Sequence, residues 1–211
     1  MKFNPFLRTL FALAIQTAVF AQPASEPRAE ALKSTVILVI RHAEKSKGTM
    51  SLAPAGEERA KAYVEYFRNY KVDGKPLKLD YLIAAADAKT SHHGHPREGP
   101  YPRLTLQPVA KGLGLRIDNR FNDKHFQDLT QDLLTVPHGK AILIALHHEG
   151  IPPLLNALGV VPEQVLPNGS WPPEVFNWVI QLRFDAEGRL FEAKRINENL
   201  MPGDADHPAG M

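Results

Sequence analysis

Two stretches of the 211-residue chain restrict its fold more than any other, the strands read at Thr35–Ile40, around VILVI, and at Lys140–Leu146, around AILIAL. Each of these runs is short, apolar at every position and bounded by polar residues, so neither shows the alternation of a strand with one wet face. A strand of this composition is buried on both sides, as in a parallel sheet covered by helices above and below. Asp80–Ala85 reads as a further apolar strand. Between the strands the period changes. A helix opens at Pro54, with Ala60, Val64 and Phe67 on one face, and Leu104–Leu113, Phe126–Leu134 and Ile151–Leu158 read as further helices. This alternation predicts a three-layer α/β/α sandwich with a mostly parallel central sheet. Val175–Phe184 and Arg189–Ile196, around Asp185-Ala186-Glu187-Gly188, alternate like an antiparallel hairpin that completes one side of the sheet. No internal repeat is visible.

The content of 44% hydrophobic and 23% charged residues fits a single globular domain. Residues 1–21, MKFNPFLRTLFALAIQTAVFA, place Lys2 and Arg8 ahead of an apolar run that ends in Val19-Phe20-Ala21. This is the pattern of a secretory signal peptide with cleavage after Ala21. The alternative, an anchor helix, has only Thr9–Ala21 with which to cover a span that needs roughly 20 apolar residues. A periplasmic or secreted location is therefore expected, with no membrane contact after cleavage. Residues 22–33, QPASEPRAEALK, read as a linker, residues 34–211 as the domain, and the tail MPGDADHPAGM with His207 as a surface end. Without Lys2 and Arg8 the 25 basic residues become 23, equal to the 23 acidic ones. A neutral mature chain without a basic stripe does not fit a nucleic-acid partner. The absence of cysteine excludes disulfides, a lipid-modified cysteine anchor and a thiolate zinc site.

The polar residues that matter follow the apolar runs. Arg41-His42 comes after the first strand and His147-His148-Glu149 after the last of the apolar ones. Open α/β sheets bind ligands beyond the carboxyl ends of their strands, so two strand ends could deliver imidazoles to one crevice. A lone histidine near a loop is more often just hydrogen-bonded; two such strand ends shift that balance. His92, His93 and His95 could bind zinc or copper, but no carboxylate stands at a convincing spacing, and no metal or other cofactor is expected. Asp123, His125 and Asp128 lie where helix capping explains the acids, and Trp171 and Phe176 read as core or pocket-wall aromatics.

Several segments also occur in a telling order. Arg41-His42-Ala43-Glu44 is followed by Leu52-Ala53-Pro54-Ala55-Gly56-Glu57-Glu58-Arg59-Ala60 and then by ILIALHHEGIP, Ile142–Pro152. Leu104-Thr105-Leu106-Gln107-Pro108, Trp171-Pro172-Pro173 and Pro202-Gly203-Asp204 are weaker echoes. Over residues 35–205 this order resembles the histidine phosphatase superfamily, with its phosphoglycerate-mutase-like fold, and in particular an exported bacterial branch. The resemblance implies hydrolysis of a small phosphomonoester through a phosphohistidine on His42, with phosphate or the ester as ligand and no metal. Arg41 would clamp phosphoryl oxygens with forked, charge-assisted hydrogen bonds. A second histidine would stabilise the equatorial oxygens as charge builds. Counting back from Ile151-Pro152 selects His148, the preferred choice; counting forward from the strand selects His147, otherwise a phosphate-binding residue. Glu149 beside His148 is then the first candidate for general acid, against the plainer reading of a solvated loop glutamate.

One position departs from the pattern. The family's second phosphate-binding arginine falls four residues before the threonine that corresponds to Thr105, and Tyr101 stands there. The preceding segment, Ser91–Arg103, looks lengthened, so Arg103, or failing it Arg97, is expected to reach back into the pocket. If neither does, the rival reading is a catalytically weak phosphate- or sugar-phosphate-binding protein. A mutase fits an exported chain less well, since its phosphorylated metabolites are intracellular. A metal-binding histidine loop is the third reading.

Overall fold

The strand read at Thr35–Ile40 is β1 (Val36–Arg41) in the computed structural model, which describes residues 32–87, 99–121, 126–135, 137 and 139–204. The signal segment, most of the linker, His92, His93, His95, Arg97, Asp123, His125 and His207 lie outside the described residues. Alternation within β1 sends Ile37 and Val39 into one core and Leu38 and Ile40 into another. The second all-apolar run, β6 (Ala141–Leu146), divides in the same way: Ile142, Ile144 and Leu146 join the first core, Ala141, Leu143 and Ala145 the second. Each strand therefore buries both of its faces.

Helix α1 (Pro54–Arg68) follows β1, and a small hairpin of β2 (Lys71–Val72) and β3 (Lys75–Pro76) leads to β4 (Tyr81–Ala84). Helix α2 (Tyr101–Leu113), β5 (Ile117–Asp118) and α3 (Phe126–Leu133) precede β6. A 3₁₀ turn (His148–Gly150), α4 (Ile151–Ala157), β7 (Trp178–Phe184) and β8 (Leu190–Asn197) complete the order. The sheet runs β5-β4-β6-β1-β7-β8, parallel from β5 to β1 and antiparallel at β7 and β8, so the C-terminal hairpin extends one side as expected. Tyr63, Phe67, Leu106 and Val109 of α1 and α2 pack on one face, and Leu129, Leu133, Leu154 and Leu155 of α3 and α4 on the other. The result is the expected mixed α/β sandwich with a mostly parallel central sheet. Among the described residues no helix is long and apolar enough to cross a membrane.

Several expectations shift, among them the start of the strand read from Val175, which begins at Trp178. Helix α2 begins at Tyr101, one turn before Leu104, because the first helical N–H groups need no partner and Pro102 is welcome there. Leu32, read as linker, is buried in the core, and its carbonyl accepts from the Thr35 amide. On α1, Tyr63 rather than Val64 joins Ala60 and Phe67 among the buried residues, while a side chain at Gly112 of α2 would collide with Val64.

The tail departs most, because its first residues fold back into the protein instead of ending on the surface. Arg59 of α1, only 2% exposed, donates to Glu44 just after β1, to Glu198 just after β8, and to both carboxylate oxygens of Asp204 at 2.7 and 2.9 Å. Tyr63 also donates to Glu198, at 2.7 Å, and the Leu200 and Met201 amides donate to Asp204. Three carboxylates around one guanidinium leave an excess of negative charge in a dry place, and burial pushes the Glu198 carboxyl up to about 8 despite Tyr63 and Arg59. A raised carboxyl pKa means the folded chain holds a proton that the unfolded chain has released. Wild-type stability should therefore fall from about pH 4.5 to 8, by ~1.4 kcal/mol per pH unit from this group. Glu198→Gln removes that slope, so its stability relative to wild type should rise between pH 5 and pH 9 in urea titrations. A constant difference across that range would show that Glu198 is already ionised.

Candidate active site

Strand alternation decides which side chains meet. β1 and β6 pair in parallel with Ile40 opposite Ala145 and Arg41 opposite Leu146, and the His42 amide continues the ladder by donating to the Leu146 carbonyl. One step further puts His42 level with His147. Both fall on the side of Leu38, Ile40, Leu143 and Ala145, facing α2. The two rings lie edge to face with centroids 5.1 Å apart. Arg41 has the opposite parity and goes to the other side of the sheet edge. His148 comes after the turn away from β6, and its ring makes no contact with His42.

His42 is 1% exposed. Its Nδ1 lies 2.6 Å from the Ala43 carbonyl oxygen, which can only accept, so Nδ1 carries the proton and Nε2 the lone pair. Burial above all, with the positive charges of Arg41 and Lys45 adding to it, depresses the ring to about 3. His42 is thus a neutral imidazole at any physiological pH, with its free lone pair fixed in direction. The turn behind it is pinned: the Ala43 amide donates to Thr105 Oγ1 at 2.8 Å, and that hydroxyl donates to the Tyr101 carbonyl at 2.8 Å. Gly56 of α1 lies so close to Glu44 that any side chain there would strike the Glu44 carbonyl, which accounts for the glycine at this helix start.

Arg41 is 4% exposed and stacks 4.0 Å above the Phe176 ring. One of its terminal nitrogens, Nη1, donates to the carbonyls of Pro172, Pro173 and Val175 at 3.2, 2.6 and 3.0 Å. Burial lowers this guanidinium to about 10, against the carboxylates of Glu44 and Glu174, and it stays charged at neutral pH. Trp171 is buried and closes the same loop by donating its indole N–H to the Val175 carbonyl at 2.8 Å. Phe176 bridges the two sides, 6.3 Å from the His42 ring.

The remaining expected site residues are arranged otherwise. His148 is half-buried, and desolvation first, then the charge of Arg41, lowers its pKa. Glu149 is exposed on the 3₁₀ turn beside it. Arg103 is tied to Asp87 at the end of β4 by two-pronged hydrogen bonds of 2.7–3.1 Å, and none of its bonds leads to His42. The place next to the histidines that a second arginine would fill holds Tyr101, buried, 5.3 Å from His42 and 6.3 Å from His147, its hydroxyl donating to the Thr49 carbonyl at 2.7 Å. Among the described residues no group of three potential metal ligands converges.

No family model matches the sequence, and no curated protein matches it. The similar solved structures include a protein histidine phosphatase SixA complexed with tungstate, at 15% identity and a TM-score of 0.47 over 77% of this chain and 97% of that one. A phosphoglycerate mutase from Plasmodium falciparum is 16% identical, with a TM-score of 0.47 over 76% of this chain and 90% of that one. A mycobacterial glucosyl-3-phosphoglycerate phosphatase is 12% identical, with a TM-score of 0.45 over 77% and 96%.

Sequence reading named His147 but preferred His148, and it missed the Arg59 cluster. The His147 pairing was available in principle, because in two parallel neighbours the residues that follow equivalent apolar positions share a face. The Arg59 cluster was not, since its partners stand 15, 139 and 145 residues away along the chain.

Proposed function

We propose that the chain is a phosphatase that hydrolyses a small phosphomonoester through a phosphohistidine on His42. The observation that carries this reading is His42 itself: a buried neutral imidazole at the end of a rigid strand, with Nδ1–H held by a carbonyl and a second imidazole 5.1 Å away. In the first step Nε2 attacks phosphorus, the N–P bond forms, and the ester O–P bond breaks in line. The leaving oxygen takes a proton from a neighbouring acid, and Glu149 is the carboxyl we assign to that task. Water then attacks the phosphohistidine, releasing phosphate and restoring the free imidazole. His147 serves the phosphoryl oxygens as a hydrogen-bond donor, where stabilisation of developing charge does most of the work. This revises the preference for His148, which we assign as a secondary neighbour on the turn after β6, its charged form disfavoured by burial and by Arg41. With its expected signal peptide the enzyme would act in the periplasm or outside the cell.

A second reading rests on a specific observation: Arg41 is engaged with loop carbonyls, and tyrosine stands at the second arginine position. On that reading the pocket binds phosphate or a sugar phosphate without turnover. The decisive experiment is acid-labile phosphoprotein trapping during turnover of p-nitrophenyl phosphate in the presence of a chelator. Wild type should turn over and label on His42, and His42→Ala should do neither, a loss of at least about 10³-fold. Vanadate binding with no hydrolysis between pH 4 and 8 would favour the binding protein, and turnover abolished by chelator would exclude this mechanism.

A further inference from the structure

Tyr101 leaves the His42–His147 side of the site without its arginine, and Arg103 is held elsewhere by Asp87. A phosphoryl group placed there would meet the neutral His42 ring, the Tyr101 ring and one guanidinium that is directed at a loop. The structure nevertheless carries a cation on that side. Lys45 follows His42 by three residues, and its backbone is fixed by a β-bridge to Leu52. Its ammonium lies 5.5 Å from the centroid of the Tyr101 ring, the same ring that stands 5.3 Å from His42. The side chain is exposed, and among the described residues no carboxylate pairs with it. Its neighbour Glu44 is already committed to Arg59.

We propose that Lys45 is the second phosphoryl-binding cation of this site, seated on the Tyr101 ring that occupies the arginine's place. The inference rests on the phosphatase reading above and adds to it the residue that completes the anion clamp. The charge of Lys45 already reaches both His42 and His148, disfavouring the protonated form of each. A lysine differs from an arginine in what it can hold: a compact ammonium on a flexible stem contacts one phosphoryl oxygen at a time, without the planar two-oxygen grip. The aromatic seat compensates by limiting where the ammonium can go. Tyr101 then has a function of its own, since its hydroxyl is anchored to Thr49 and its ring faces are left for His42 and Lys45.

Two probes test this, orthovanadate binding by calorimetry and p-nitrophenyl phosphate kinetics, with melting temperature as a check on folding. Lys45 is exposed, so Lys45→Met should melt with wild type. Lys45→Met is expected to weaken vanadate binding and raise KM at least tenfold, to lower kcat less, and to flatten the salt dependence of binding. Lys45→Arg should stay within threefold of wild type, and Tyr101→Leu should weaken vanadate binding by a few-fold while Lys45 is present and not at all once it is methionine. If wild type binds vanadate and Lys45→Met binds it within twofold as tightly, Lys45 is not the clamp and the phosphatase reading stands without it. If wild type neither binds vanadate nor turns over ester, both fall together.

Discussion

Replacing His147 with alanine is expected to lower kcat for p-nitrophenyl phosphate by about 10²–10³-fold, the usual loss of one preorganised donor to developing charge. Replacing His148 should change it by less than about tenfold, with KM affected at least as much as kcat, because it follows the turn away from β6 and the rings packed with His42 are those of Tyr101, His147 and Phe176. The difference follows from strand geometry. Residues 42 and 147 extend two parallel strands from paired positions, so their side chains rise on the same face 5.1 Å apart, and one residue later the chain turns. Steady-state kinetics on the two variants would settle the order. A larger kcat loss in His148→Ala than in His147→Ala would reverse the assignment and restore the motif count from Ile151-Pro152.

The second large effect is on folding. Arg59→Ala removes the only cation in contact with Glu44, Glu198 and Asp204 among the described residues, and leaves the buried Glu198 and Asp204 without it, while Glu44 stays partly open to water. Removing one partner of a buried ion pair typically destabilises by about 3–5 kcal/mol, most of it the penalty of the charges left behind. Chemical denaturation should show a loss of that order. The loss should be smaller at pH 5 than at pH 8, because Glu198 meets acid by taking up a proton. Arg59→Lys should recover part of it, since an ammonium cannot fork to Glu44 and Asp204 together. Activity should fall with stability, as Glu44 lies two residues from His42. An unfolding midpoint unchanged by Arg59→Ala would mean that water reaches this cluster.

The strands were legible because burial on both faces writes an unbroken apolar run, and the hairpin because its alternation is local. The positions of His42 and His147 could be read as strand ends, but which histidine met which required the register between two strands that are a hundred residues apart in sequence. Arg103 was expected to reach the pocket from its nearness to the helix start. A helix start fixes where a residue sits, whereas its direction was set by Asp87, a partner no spacing rule connects to it. The glycine- and proline-containing tail suggested a surface end; composition does not reveal a single aspartate that closes a charge cluster 145 residues away.

That distance has a consequence for how the chain comes into being. The Arg59 clasp joins α1 to carboxylates that are synthesised 139 and 145 residues later, so a nascent chain can form β1 and α1 without being able to close the clasp. Until Glu198 and Asp204 emerge, Arg59 has only Glu44 to pair with, and the segment that carries His42 lacks its far anchor. The fold should therefore be reached late and cooperatively, as chains rich in distant contacts are. A chain cut after Asn197 would keep every strand of the sheet and both site histidines, yet lack the two carboxylates that fasten the first helix to the last strand.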